Sequence, residues 1–408
     1  MKVLFTYILL LTLTVLQGQN CDYTIPKYGF KATKNIYLGS DKDYRLLDDS
    51  LFVDIYYPVG SPEVKRPLVM WVFGGGFFQG KRQDFDLLCQ EFAKRGFVAA
   101  TIDYRIGFEG AGPGLNPPFA FDAAEIVRAG YRGMQDGKAA LRFLKSNHER
   151  DSIDLERVWV AGASAGSFVA MGTVFLTTED QKPAQVGKIT PANGRNRDDL
   201  GPVEGNRYVN GYDAKVQGVF NIFGGLLDTN LIRPDNKIAV MSYHQDMDPV
   251  VPCGANMPYY PIPFISANYP IAYGSCMIDS RLRNIGMSPN LFETWIYSGN
   301  QHATHDEAAV VNYMLTNANP ILCGTVSATT NSKLSTIKVY PNPVEHHLSV
   351  SGIENQTHYK ILTMSGNIVE HNKINSNQKI SVETLIPGIY IIQFNENGFQ
   401  KSIRFVKI

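Results

Sequence analysis

The chain has 408 residues, 44% hydrophobic and 19% charged, with 38 basic against 38 acidic side chains. That apolar fraction excludes a disordered or collagen-like chain, and at about 100–200 residues per domain the length allows two or three domains. A formal net charge of zero leaves no polyelectrolyte footprint, which argues against a nucleic-acid partner.

Lys2 precedes an apolar run, Val3–Leu16, which gives way to Gln17, Gly18, Gln19 and Asn20. The run is too short to cross a bilayer core of about 30 Å and suits the h-region of a secretory signal peptide over residues 1–19. Export would put Cys21, Cys89, Cys253, Cys276 and Cys323 in a disulfide-permissive compartment. Cys253 and Cys276 flank one Pro- and Tyr-rich segment and are the first expected bridge; an odd count leaves at least one thiol unpaired. Cys21 lacks a preceding lipobox and no later stretch reaches membrane-span length, so no permanent membrane anchor is expected. There is no CxxC motif to support a zinc or redox centre, and neither metal nor cofactor is expected.

Strand-length apolar runs follow at Asn35–Leu38, Leu51–Tyr57, Leu68–Phe73, Phe97–Thr101, Val158–Ala161, Gly218–Phe223, Ile238–Tyr243 and Leu291–Tyr297. The first two alternate apolar with polar, as half-exposed antiparallel strands do. The later ones are near-continuous, as parallel strands buried on both faces must be. Helical spacing marks Asp84–Arg95, Met134–Ser146, a helix starting just after Ser164, and Asp306–Leu315. Eight strands with interleaved helices predict a mostly parallel, doubly wound sheet. Gly107–Phe121, Glu179–Gly211 and Val250–Pro289 read as loop insertions, the last a packed surface loop or a lid. A Ser/Thr/Asn-rich linker, residues 324–336, then separates residues 20–323 from 337–408. The tail is wholly β in character, with short strands at Ile337–Tyr340, His347–Val350, Tyr359–Met364, Lys379–Val382, Ile389–Phe394 and Ser402–Val406. It predicts a small sandwich.

The chemistry begins at Gly162-Ala163-Ser164-Ala165-Gly166, a GxSxG pentapeptide between a predicted strand and a predicted helix. In that context it reads as a nucleophile elbow, whose flanking glycines permit a sharp turn that lifts the serine hydroxyl clear. Such an elbow orders its partners serine, acid, histidine along the chain. Before the linker the histidines are His148, His244, His302 and His305; the first precedes the serine, and the second precedes any acid after Ile238–Tyr243. His302, just after a flexible Gly299, is the favoured base and His305 the alternative. Asp248, presented by the following Pro-Val-Val-Pro, is the favoured acid and Asp246 the alternative. Gly74-Gly75-Gly76 at the end of Leu68–Phe73 can bring backbone N–H groups close to a ligand. Gly75, Gly76 and Ala165 are therefore the expected oxyanion donors.

WVFGGGFFQG, GFVAATIDYR, DGKAALRFLKSN and IDLERVWVAGASAGS, in that order, resemble the α/β-hydrolase carboxylesterases, particularly the hormone-sensitive-lipase-like and type-B branches. The resemblance, over roughly Phe52–Leu315, implies an α/β-hydrolase fold. It also implies two-step ester hydrolysis by Ser164, His302 and Asp248 without a metal. Two departures stand out: Phe73 where the family usually has His, and Ser167 where Gly is commoner. VYPNP, MSGNIV, LIPGIYIIQF and the terminal KSIRFVKI resemble the C-terminal sorting domain of the type IX secretion system. This implies passage through the periplasm to the medium or cell surface, with residues 337–408 engaging the secretion machinery. A secreted carboxylic-ester hydrolase is the leading expectation. A serine peptidase on the same fold, or a non-catalytic esterase-like binding protein, is the alternative.

Overall fold

Continuous apolar runs become the inner strands because both faces of a central parallel strand are covered by helices. The structure is a computed structural model that describes residues 21–110, 117–190, 196–236, 238–324, 337–353, 356–363, 368–375, 378–396 and 399–408. The expected signal peptide and residues 325–336 of the expected linker lie outside these. The chain divides into two compact units, Met1–Val326 and Ser327–Ile408.

The first unit is built on β1 (Gly29–Lys42), β2 (Asp48–Val59), β3 (Arg66–Val72), β4 (Val98–Ile102), β5 (Ile153–Ala163), β6 (Gly218–Ile222), β7 (Ala239–Gln245) and β8 (Phe292–Tyr297). They form one eight-stranded sheet in the order β1-β2-β4-β3-β5-β6-β7-β8. β2 pairs antiparallel with β1 and β4; every other pairing is parallel. This is the α/β-hydrolase fold. All eight strands fall where the apolar runs predicted them.

Helices depart more from expectation. α1 (Asp86–Lys94) and α3 (Ala165–Phe175) lie where predicted, but α2 spans Ala123–Ser146 rather than starting at Met134. Its first three turns carry buried Glu125, Arg128 and Arg132, so the apolar stripe that marks a core-facing helix does not show in the sequence. Those charges are met by other parts of the chain: Glu125 by Arg197, Arg128 by the carbonyls of Gln185, Gly187 and Asp198, and Arg132 by the carbonyl of Gly107. The side chain of Asp122 caps this helix by accepting the N–H of Ala124.

Val250–Pro289, expected to be loop, holds helix α4 (Ser275–Asn284), whose Ile278 and Leu282 are fully buried. It also supplies Ala255–Asn256 and Ala272–Gly274 to a small antiparallel patch with Gly225–Leu226. α5 (Glu307–Leu322) runs beyond the predicted Leu315 and carries Pro320 within it. Cys253 bonds to Cys276, as expected, and Cys21 to Cys323, which was not foreseen; Cys89 is a buried free thiol.

In the second unit β9 (Lys338–Tyr340), β10 (His347–Ser351) and β13 (Lys379–Ser381) form one sheet in the order β9-β10-β13. β11 (Thr357–Thr363), β12 (Ile368–Ile374), β14 (Gly388–Glu396) and β15 (Phe399–Lys407) form the other, in the order β12-β11-β14-β15. Leu348 and Val350 of the first sheet share one core with Ile361, Ile392 and Phe405 of the second, so the unit is a β-sandwich. Sequence reading missed β12, whose IVEHNKI stretch is mostly exposed and so shows little apolar patterning.

Candidate active site

The elbow sits where β5 ends and α3 begins. Ser164 has φ 55° and ψ −128°, a strained conformation for a non-glycine residue. The flanking glycines explain how the turn is possible. A Cβ on Gly162 would lie 2.3 Å from the carbonyl oxygen of Gly166, and one on Gly166 would lie 2.1 Å from that of Val72. The Ser164 N–H donates to the carbonyl of Ile222 at 3.0 Å, and its own carbonyl accepts the N–H of Ser167 at 2.9 Å. The N–H of Ala165 opens α3 and so has no acceptor within the helix, leaving it available to an anion.

His302 lies between the other two expected groups. Its Nε2 is 2.7 Å from Ser164 Oγ and its Nδ1 is 2.7 Å from Asp248 Oδ2. The imidazole rests edge-on against Phe223, ring centroids 4.7 Å apart. Gln245, at the end of β7, grips the histidine's loop on both sides. Its Oε1 accepts the N–H of Gln301 at 2.8 Å, and its Nε2 donates to the carbonyl of Ala303 at 2.9 Å.

Asp248 is 1% exposed. Its Oδ1 accepts the N–H groups of Val250 and Val251 at 2.8 and 3.0 Å, so the Pro-Val-Val-Pro segment folds its backbone onto the carboxylate. Burial pushes the carboxyl pKa up. Hydrogen bonds and charge from His244 and His302 outweigh it, and the group stays below the ordinary aspartate value.

The alternatives are placed elsewhere. Asp246 is exposed and accepts the N–H of Gly299, fastening the start of the histidine loop. His305 stacks on Tyr297 at 4.0 Å and meets the Tyr243 hydroxyl through Nδ1 at 2.9 Å, as part of an aromatic cluster with Trp295.

The glycine loop passes beside the serine. A Cβ on Gly74 would lie 3.2 Å from Ser164 Cβ. Gly75 and Gly76 have φ of +106° and +62°, and the Gly75 carbonyl accepts the N–H groups of Phe78 and Gln79 to close a tight turn. Phe73 fills its place by stacking on Tyr104 at 4.5 Å, and the Tyr104 hydroxyl donates to the Phe73 carbonyl.

Two contributors escaped sequence reading. Tyr259, with φ 59°, places its hydroxyl 3.2 Å from where a Cβ on Gly76 would stand. Burial and the nearby Asp248 charge push its pKa up to about 12, so it is a neutral phenol at pH 7. His244, set aside as a base by chain order, stands behind Asp248, its Nε2 3.5 Å from Oδ2. Among the described residues no group of three or more His, Cys, Asp or Glu is placed to hold a metal ion.

A GxSxG serine at the β5–α3 turn, a histidine bridging it to a buried aspartate, and a glycine loop alongside thus stand together at one end of the sheet. Residues 24–185 match the carboxylesterase family, and residues 338–408 match the secretion system C-terminal sorting domain. One region of the chain is thus similar to the carboxylesterase family and another to the C-terminal sorting domain. It is 30% identical to gut esterase 1 of Caenorhabditis elegans over 122 residues, 29% of this chain and 20% of that protein. It is 30% identical to carboxylesterase 3 of Homo sapiens over 138 residues, 33% of this chain and 22% of that one. The chain therefore aligns with about a fifth of the length of the curated relatives it matches. Among solved structures it is similar to an esterase from Thermogutta terrifontis bound to propionate. There the identity is 17% and the TM-score 0.43, covering 68% of this chain and 90% of that one.

Proposed function

We propose that the protein is a secreted serine hydrolase of carboxylic esters. The observation that carries this reading is His302, whose Nε2 lies 2.7 Å from Ser164 Oγ and whose Nδ1 lies 2.7 Å from the buried Asp248 carboxylate. In the first step His302 Nε2 takes the Ser164 hydroxyl proton as Oγ attacks the ester carbonyl carbon. The oxyanion that forms is met by the N–H groups of Gly75, Gly76 and Ala165. His302 then returns the proton to the leaving alkoxide, the C–O bond breaks, and an acyl-enzyme on Ser164 remains. Water, deprotonated by His302, repeats the sequence and releases the carboxylic acid. Asp248 holds the imidazole with its proton on Nδ1 and offsets the imidazolium charge in both steps.

The address follows from the tail. The match of residues 338–408 to the sorting domain supports export to the cell surface or medium. The type IX machinery is the proposed partner, the periplasm the proposed route, and an N-terminal signal peptide the proposed first step.

Turnover of 4-nitrophenyl butyrate against a peptide anilide, by wild type and Ser164→Ala, tests the catalytic reading. Ester turnover that falls by at least about 10³-fold in the variant supports it. Preference for the anilide would make the protein a peptidase. Absence of turnover on both would make it a binding protein.

A further inference from the structure

We propose that His244 is a positioning residue for Asp248, at the end of a buried hydrogen-bonded chain that ties the acid loop to the nucleophile helix. This rests on the reading of Ser164, His302 and Asp248 as the catalytic triad.

The chain of contacts runs in one direction. Ser167, one turn into α3, donates its hydroxyl to Asn221 Oδ1 on β6. Asn221 Nδ2 donates to Ser242 Oγ at 3.1 Å and to Ser275 Oγ at 3.0 Å. The Ser275 hydroxyl lies 2.9 Å from His244 Nδ1, and the Ser275 backbone N–H donates to the same nitrogen at 3.4 Å. A backbone N–H facing Nδ1 and a carbonyl oxygen facing Nε2 fix the tautomer: the Ser275 hydroxyl donates to Nδ1, and the ring proton is on Nε2. That N–H faces the Val251 carbonyl at 2.9 Å and Asp248 Oδ2 at 3.5 Å.

All five side chains, Ser167, Asn221, Ser242, His244 and Ser275, are 0% exposed. A buried polar network is costly unless each group is paired, and one paired throughout holds its members in a single geometry. What this one holds is the acid. Val251 gives its N–H to Asp248 Oδ1 and its carbonyl to His244, so the imidazole locks the backbone turn that presents the carboxylate. Cys253 and Cys276 staple the same turn to the start of α4, next to Ser275. Around the carboxylate stand three titratable groups: His302 in front, His244 behind, and the Tyr259 phenol.

The chain also explains Ser167. A glycine there would leave Asn221 Oδ1 without its donor. Gly224 is required opposite it, since a Cβ on Gly224 would lie 2.2 Å from Ser167 Cβ.

The test compares His244→Gln with His244→Asn in the full chain, with active sites counted by a phosphylating agent. Glutamine can place an amide N–H where Nε2 stands; asparagine is too short. His244→Asn should lose roughly 10- to 100-fold in kcat per counted site with KM within about threefold, while His244→Gln keeps kcat within about fivefold. The acid limb of the kcat/KM profile should move to lower pH by roughly half a unit in His244→Asn, because a loosened carboxylate supports the imidazolium less, and stay put in His244→Gln. A wild-type kcat per site with an unmoved limb in His244→Asn overturns the proposal. Should that variant fail to fold, Ser275→Ala decides instead, a three- to tenfold loss of kcat per site supporting the proposal and none overturning it. The triad reading fails separately, on retained hydrolysis by Ser164→Ala.

Discussion

Replacing Asp248 by Asn should cost far more than the loss of one charge, and the surrounding contacts say why. Oδ1 accepts two backbone N–H groups, from Val250 and Val251, so the amide oxygen of an asparagine must take that position. Its NH₂ then occupies the place of Oδ2, 2.7 Å from His302 Nδ1. Two donors cannot face one another, and the imidazole escapes by moving its proton to Nε2. That nitrogen faces Ser164 Oγ at 2.7 Å and can no longer accept the serine proton. The volume is conserved and the buried backbone donors stay paired, so the fold should survive. We expect kcat on 4-nitrophenyl butyrate to fall by about 10³- to 10⁴-fold, roughly 4–5.5 kcal/mol of transition-state stabilisation. Circular dichroism before the assay establishes that the variant is folded, and Asp246→Asn, on the exposed neighbour, should stay within about threefold. If folded Asp248→Asn kept more than a tenth of wild-type kcat, the tautomer argument would be refuted.

Other outcomes follow from the same contacts. Asp248 has a folded-state pKa below its unfolded value of about 3.9, so its pairing contributes stability that is present above that pH and lost as pH falls through the folded pKa. The gap in urea midpoint between wild type and Asp248→Asn should accordingly shrink from pH 7 to pH 3. Replacing Cys253 and Cys276 together by Ser should cost about 2–4 kcal/mol in denaturant unfolding and lower kcat as well, because the bridge anchors the turn after the acid. Gly76→Ala puts a Cβ at φ +62°, 3.2 Å from the Tyr259 hydroxyl, and should lower kcat at least about tenfold. Gly254→Ala, which meets nothing within 4 Å, should not. A chain ending at Gly324 should keep its rate on small esters within about threefold, yet stay in the periplasm of a host with the matching machinery. Its release to the medium would remove the proposed role of the tail.

What the sequence revealed, and what it hid, has a physical pattern. Strands such as LVMWV and VAATI are buried on both faces, and uninterrupted apolar residues have few other uses at that length. The approach of Ser164, His302 and Asp248 was legible because a sharp strand–helix turn demands small residues at Gly162 and Gly166, and the expected chain order left few candidates to stand beside it. The first half of α2 was not, since its buried arginines and glutamate find partners far along the chain at Gly107, Gln185 and Arg197. α4 was masked by the Pro- and Tyr-rich stretch before it, which reads as loop. His244 could be rejected as the base from chain order alone. Its place behind Asp248 depends on Ser275, thirty-one residues further on, and leaves no local mark.

The central claim is that Ser164 Oγ is the atom that carries the acyl group. It is tested most directly by treating the full-length protein with a diethyl phosphoryl ester and mapping the adduct by mass spectrometry. The proposed geometry predicts one phosphoryl group per molecule, on the peptide containing Ser164, with activity lost in proportion to labelling. It also predicts no labelling of Ser164→Ala, and slow labelling of a folded His302→Ala. An adduct on another residue, or full ester turnover by protein fully labelled at Ser164, would contradict it.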